Sequence, residues 1–209
     1  MSEKILLSRQ SSGVAVITFN RPQVHNALDV EAMEAFAELI ERLGKDSDLR
    51  ALILTGAGDK AFCSGGDIAD LSERRSQADA AAMIQLVGDA LLALENLPMP
   101  VIAAINGYAL GGGSEIAVAC DLRVIDETAR LGFVQAKRGL MPGWGGGQRL
   151  LRLVGYARAL DILLGARVMK AEELRALGLA NHLTSPGEAL EGALELARHF
   201  AQFDANVIR

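Results

Sequence analysis

Hydrophobic residues fall along this chain in two rhythms. Short apolar runs at Ile5-Leu6-Leu7 and at Val14–Phe19 predict two strands joined by a turn at Ser11-Ser12-Gly13. Ala51-Leu52-Ile53-Leu54-Thr55 and Val101–Ile105 are apolar almost throughout, the mark of strands covered on both faces. Between the runs the spacing changes to that of a helix. Met33, Phe36, Ala37, Ile40 and Leu43 recur at helical intervals, with Asp29 as N-cap and Gly44 at the end, while Glu31, Glu34, Glu38 and Glu41 form a solvated face. Further helices are expected over 76–97, from Gly113 to Ala119, and from Gly146 onwards with breaks at Gly155, Gly165 and Gly178. A strand is expected at 122–125 and an amphipathic helix over 188–203. Strands alternating with helices predict an α/β domain with parallel pairing, without internal repeat or linker.

The 209 residues suffice for one domain with its own core. Lys and Arg number 21 against 26 Asp and Glu, so 21 − 26 gives −5, a balance that argues against a nucleic-acid partner. The helix after Asp29 carries four Glu and only Arg42 as a base, which argues against a basic RNA-binding face. Cys63 and Cys120 form no CxxC, so neither a disulfide framework nor a zinc site is indicated, and a reducing, cytoplasmic compartment is expected. The N-terminus is too polar for a signal peptide. The mostly apolar stretch 99–113 is interrupted by Asn106 and glycines, and no membrane span is expected. No ligand cluster calls for a metal or a redox cofactor.

The 22 glycines gather at Gly56 and Gly58, Gly65-Gly66, Gly107, Gly111-Gly112-Gly113, and Gly143 with Gly145-Gly146-Gly147, which signals tight turns or close approach by a ligand. Two of these segments, Ala61–Ile68 and Asn106–Glu115, follow apolar strands and lead into helices. Free N–H groups there favour negative charge, and two that converge would make an oxyanion hole for a carbonyl becoming an enolate or tetrahedral anion. No Lys completes a P-loop, the triple glycine does not match a dinucleotide fingerprint, and Ser114 lacks the GxSxG setting of a nucleophile, with His25, His182 and His199 as remote bases.

FCSGGDI, NGYALGGGSEIAVACDLRV and PGWGGGQRL, in this order and spacing, resemble the crotonase (enoyl-CoA hydratase/isomerase) superfamily, and the resemblance runs from ITFNRPQVHNALD to the helices after Gly165. It implies a ClpP/crotonase-like fold: ββα units forming a spiral core over about 1–155, with a helical C-terminal part over about 156–209 that looks cut short. It also implies a homotrimer or dimer of trimers acting on an acyl-CoA thioester, with coenzyme A present only as part of the substrate. By the same resemblance the Gly66 and Gly112 amides hold the thioester oxygen. His25, Ala27, Ser64, Asp67 and Ile68 would lie along the CoA moiety or shape its pocket, though Asp67 also suits a local helix cap. Glu115 matches the first catalytic glutamate.

The second glutamate is missing, and Gln135 stands in its place. Glutamine can orient water or a carbonyl but cannot exchange a proton near neutrality, a loss worth roughly 10²–10⁴ in rate for a general acid or base. Three readings follow. One is hydration of a 2-enoyl-CoA with Glu115 alone shuttling the proton. Another is decarboxylation of a malonyl-type thioester, which needs one acid and agrees with the resemblance of Gly139, Pro142, Trp144 and Gly145-Gly146 to methylmalonyl- and ethylmalonyl-CoA decarboxylase-like members. The third is a non-catalytic acyl-CoA binder. Trp144, where family hydratases usually carry a small residue, would shorten the acyl pocket or simply pack in the core.

Overall fold

The fold was obtained as a computed structural model that describes residues 3–73 and 76–204, without the side chains of 71 and 73. Four successive units of two strands and a following helix make up most of it. They are β1 (Ile5–Arg9) and β2 (Val14–Phe19) with α1 (Val30–Gly44); β3 (Ala51–Gly56) and β4 (Ala61–Cys63) with α2 (Ile68–Glu73) and α3 (Gln77–Glu95); β5 (Val101–Ile105) and β6 (Tyr108–Leu110) with α4 (Gly112–Ala119); and β7 (Leu122–Asp126) and β8 (Arg130–Gly132) with α5 (Gly146–Val154). The chain continues through α6 (Tyr156–Gly165), β9 (Met169–Lys170), α7 (Ala171–Ala176), β10 (His182–Thr184) and α8 (Ala189–Phe200).

From the second unit on, the first strand enters a six-stranded sheet of order β1-β2-β3-β5-β7-β10 and the second strand enters a four-stranded sheet, β4-β6-β8-β9. Pairing is parallel except for β1 on β2 and β9 on β8. The chain therefore climbs as a spiral, and glycine-rich corners follow the small-sheet strands β4 and β6, where the chain turns into the next helix.

The continuous apolar runs are explained by what covers them. Alternate residues of the large sheet point to opposite faces. Ala15, Ile17, Leu52, Leu54, Ala103 and Ile105 join the main core with α1, α3 and α4. Val14, Val16, Ala51, Ile53, Ile102 and Ala104 face the other way and are covered by Ala189, Ala193, Leu194 and Ala197 of α8. At about 1.5–3 kcal/mol for each large aliphatic side chain fully buried, α8 stabilises a whole face of the sheet.

The expected strands and long helices appear within one or two residues of their predicted limits. The Ser76 hydroxyl caps α3 by accepting from the Asp79 amide at 3.0 Å, and α8 is shorter than the expected 188–203. Five strands escaped the sequence reading: β4, β6 and β8 inside or beside the glycine-rich corners, and β9 and β10 in a region expected to be helical. Each has only two or three residues, too few for a period-two pattern. By length and composition α3 reaches what a membrane span needs, although the sequence predicts no such span. It carries Asp79 and Asp89, and Val87, Leu91 and Leu94 on its apolar side are buried in the main core, to which α1 contributes.

Candidate active site

The segment after β4 runs beside the loop at 25–28 like an added strand. The Leu28 amide donates to the Gly65 carbonyl and the Asp67 amide to the Leu28 carbonyl, both at 2.8 Å. In this parallel pattern the N–H of Gly66, between the two bonded positions, points away from the loop. The loop is fixed by unusual backbone: His25 and Asn26 both take left-handed conformations, with φ of 54° and 56°. Asn26 suits this because its short amide forms local bonds. Its Nδ2 donates to the carbonyls of Ala57 at 3.0 Å and Ala61 at 2.7 Å, and its Oδ1 accepts from the Arg21 amide. Arg21 knots the region further, bonding the Ala27 carbonyl and Asp67 through Nη1 and lying 3.1 Å from Asp29 through Nη2.

The second corner is packed more tightly. Gly112 opens α4, so its N–H has no partner within the helix. Gly65, at φ +94°, lies directly against it: a Cβ added to Gly65 would stand 2.8 Å from the Gly112 nitrogen. The six-membered ring of Trp144 covers the other side, where a Cβ on Gly112 would come 2.1 Å from Cζ3. Gly113 touches the Cys63 carbonyl so closely that a Cβ there would lie 1.8 Å from its oxygen. Gly66 and Gly112 nonetheless stay half-exposed, while Gly65 and Gly113 are buried.

Glu115 lies one turn along the same helix and is 2% exposed. Its Oε2 accepts the amides of Trp144 and Gly146, each at 2.8 Å, and its Oε1 accepts Gln135 Nε2 at 3.1 Å. Burial pushes its pKa above the usual 4.5, and these neutral donors only partly oppose the shift. Gln135 Oε1 is buried without a hydrogen-bond partner among the described residues. A buried carboxyl with a raised pKa, an unpaired amide oxygen beside it and a free helix-terminal N–H on its own helix can bind a polar carbonyl and exchange a proton with it or with water.

A family model described as enoyl-CoA hydratase/isomerase matches residues 9–209. The chain belongs to this family. Its relatives include a short-chain-enoyl-CoA hydratase of Clostridium acetobutylicum, 40% identical over 194 residues, covering 92% of this chain and 73% of the relative. A mitochondrial methylglutaconyl-CoA hydratase of Mus musculus is 34% identical over 198 residues, covering 93% of this chain and 63% of that one. In structure, an enoyl-CoA hydratase from Bacillus anthracis superposes with a TM-score of 0.94 at 33% identity, covering 97% of this chain and 78% of the other. The architecture is the crotonase fold, as the resemblance implied, and the homologues establish an enzyme family of acyl-CoA chemistry.

The structure brings Gly66, Gly112, Glu115, Gln135 and Trp144 into one neighbourhood. Of the residues expected along the CoA moiety, His25 and Ile68 are exposed, Ser64 is half-buried and Ala27 is buried. Asp67 is engaged by the chain itself, capping the Ala69 amide at 3.1 Å and accepting Arg21 Nη1 at 2.8 Å. Ser114 is no nucleophile in waiting. Its buried hydroxyl lies 2.8 Å from the carbonyls of Ala109 and Gly132, tying β6 to β8, and histidine is not among its partners. Both thiols are buried and unpaired, and burial pushes Cys63 up to about 12. Sequence reasoning missed Arg21, Arg149 and Glu95, and it named Gly146 only as part of a glycine motif, not as a donor to Glu115. The glycine four residues before Arg149 was the available signal for a side chain folded back over its own helix start.

Proposed function

We propose that this chain is an acyl-CoA lyase that adds water to a 2-enoyl-CoA through a thioester enolate. The observation that carries this is the buried Glu115 carboxyl, held by two amides one turn beyond the free Gly112 N–H. The Gly66 and Gly112 amides take the thioester oxygen as oxyanion donors. Glu115 removes a proton from water as its oxygen bonds to the β-carbon. The electron pair of the double bond moves to the thioester oxygen, and Glu115 returns the proton to the α-carbon. One carboxyl thus serves twice, and Gln135, through its unpaired oxygen, orients the attacking water. Trp144 against Gly112 narrows the space beside the thioester and favours a short acyl chain, in keeping with the short-chain relative.

Gln135 also favours a second reading, decarboxylation of a methylmalonyl- or ethylmalonyl-type thioester. There the carbon–carbon bond to CO₂ breaks, its electron pair forms the same enolate, and protonated Glu115 delivers a proton to the α-carbon. A paired assay with crotonyl-CoA and with methylmalonyl- or ethylmalonyl-CoA separates the two: hydration alone supports the first, CO₂ release alone the second. Silence on both, with a CoA thioester still bound, points to an acyl-CoA binder. Gln135→Glu is expected to raise crotonyl-CoA hydration, and a flat response would mean that the missing acid is not what limits the reaction.

Assembly as a homotrimer or dimer of trimers belongs to the same proposal. Leu151, Leu153, Tyr156, Leu160 and Leu164 leave apolar surface on α5 and α6 suited to a second copy. The expected outcome is a trimeric or hexameric mass by light scattering. Two unpaired buried thiols suit the cytoplasmic location proposed with it.

A further inference from the structure

The amides that hold Glu115 are themselves held. Arg149 folds back from α5 so that Nη1 donates to the Trp144 carbonyl at 2.6 Å and Nη2 to Glu95 Oε2 of α3 at 2.7 Å. Both backbone groups of Trp144 are therefore bonded, its carbonyl to a cation and its N–H to Glu115. Gly145, at φ +84°, leaves room for this, since a Cβ there would stand 2.6 Å from Nη1. Arg149 is 7% exposed, and its Nε has no hydrogen-bond partner among the described residues. A buried cation folded over the start of its own helix is opposed by the helix dipole and by desolvation, so α5's own stability does not explain it.

We propose that Arg149, anchored by Glu95, is a positioning residue that fixes the Trp144 peptide so that the Trp144 and Gly146 amides stay aimed at Glu115 Oε2. This rests on the reading of Glu115 as the acid/base group. The pinned peptide unit, the Trp144 carbonyl with the Gly145 N–H, lies between the two units that carry the Trp144 and Gly146 amides, so a strong charge-assisted bond to its carbonyl keeps both donors in line. The titratable side chains on the elements packed closest to α4 are Asp79, Asp89 and Glu95 on α3, Arg149 and Arg152 on α5, Cys63 on β4 and Tyr108 on β6, with Lys137 and Arg138 in the turn of Gln135. The hydrogen-bond partners of the Glu115 carboxylate itself are uncharged. Arg149 thus acts on it through Trp144. Without the fork the Trp144 carbonyl is left without its cation, the two amides drift, and desolvation of the carboxyl goes less opposed.

The test uses the full chain with ¹³C-labelled glutamate carboxyls, the Glu115 resonance being assigned by its loss in Glu115→Gln. Arg149→Met is expected to move the Glu115 titration midpoint upward by about half a pH unit or more. Arg149→Lys keeps the charge but not the two-pronged geometry and is expected to fall between Met and wild type. With crotonyl-CoA, kcat is expected to drop about tenfold to a hundredfold, with KM little changed, and the Glu115 limb of the pH profile to move with the titration. If Arg149→Met does not fold, Arg149→Lys carries the comparison. Wild-type midpoints in the folded variants overturn the proposal even if Glu115→Gln is inactive. Full hydration by Glu115→Gln overturns instead the reading beneath it, and the titration still reports on Arg149.

Discussion

The two glycine-rich corners have similar compositions and different physics. Residues 64–67 form an extended edge held from outside, by main-chain bonds to Leu28 and His25 and by the Arg21 knot. Residues 111–115 form a helix start wedged from within, between the Cys63 carbonyl and the Trp144 ring. The first corner presents its N–H through a strand register, the second through a helix end. The lesson is that glycine serves two purposes here. At Gly65 it permits a left-handed turn, whereas at Gly113 it permits contact between backbones.

If the helix corner carries the chemistry, the largest effect should come from its carboxyl. Glu115→Gln is expected to lower turnover by about 10²–10⁴-fold while a CoA thioester still binds. Stability should not suffer. The new side-chain oxygen can accept the Trp144 and Gly146 amides, and Gln135 can turn its unpaired oxygen toward the new amide donor. The folded pKa of Glu115 lies above the usual 4.5, so the unfolded chain ionises first and wild-type stability falls as pH rises from that value through the folded one. The advantage of Glu115→Gln in thermal melts should therefore appear across this window and persist above it. An advantage at acid pH that vanished at neutral pH would contradict the sign.

Gly113→Ala sharpens the contrast in packing. Its methyl would fall 1.8 Å from the Cys63 oxygen, a main-chain atom that cannot rotate aside, so β4 and α4 would have to separate. A loss of about 3 kcal/mol is expected, at the upper end for overpacking, and is measurable by urea unfolding. Wild-type stability in this variant would mean that the two corners are not in contact.

The comparison also shows how much the sequence could tell. The inner strands of the large sheet, β2, β3 and β5, were legible because both faces are apolar, as Ile53 under α8 and Leu54 under the main core illustrate, whereas the three-residue edge strand β10 was not. Glu115 and the two amide-bearing glycines were legible because the motif is local. The strands β4, β6 and β8 were not, since three residues give no period. The support for Glu115 was also hidden, because Arg149 and Glu95 stand 54 positions apart and meet only once α3 and α5 are packed. The glycine four residues before Arg149 was its one local sign, and nothing in the sequence leads from it to Glu95.

Gly65→Ala joins the two corners in one substitution. The positive φ alone costs about 1–2 kcal/mol. The new methyl would also stand 2.8 Å from the Gly112 nitrogen, the donor that the proposed mechanism assigns to the thioester oxygen. Turnover is expected to fall by about 10²-fold, the scale of one lost oxyanion donor, with a smaller loss of stability than for Gly113→Ala. Kinetics together with melting curves check both halves.

Asp67→Asn should give the smallest effect and tests the outer corner alone. Asp67 and Arg21 are each 15% exposed along their side chains, and Asn keeps the oxygen that caps Ala69. The charge of the pair and the Arg21 Nη1 bond to the second oxygen are lost, together worth about 1 kcal/mol, and the loss should shrink as salt is added. Turnover should stay near wild type, because the Gly66 register rests on the Leu28 main-chain bonds and not on the Asp67 side chain. A raised KM with unchanged kcat and stability would instead give Asp67 a part in binding the CoA moiety, making the edge corner a binding surface and not merely a frame.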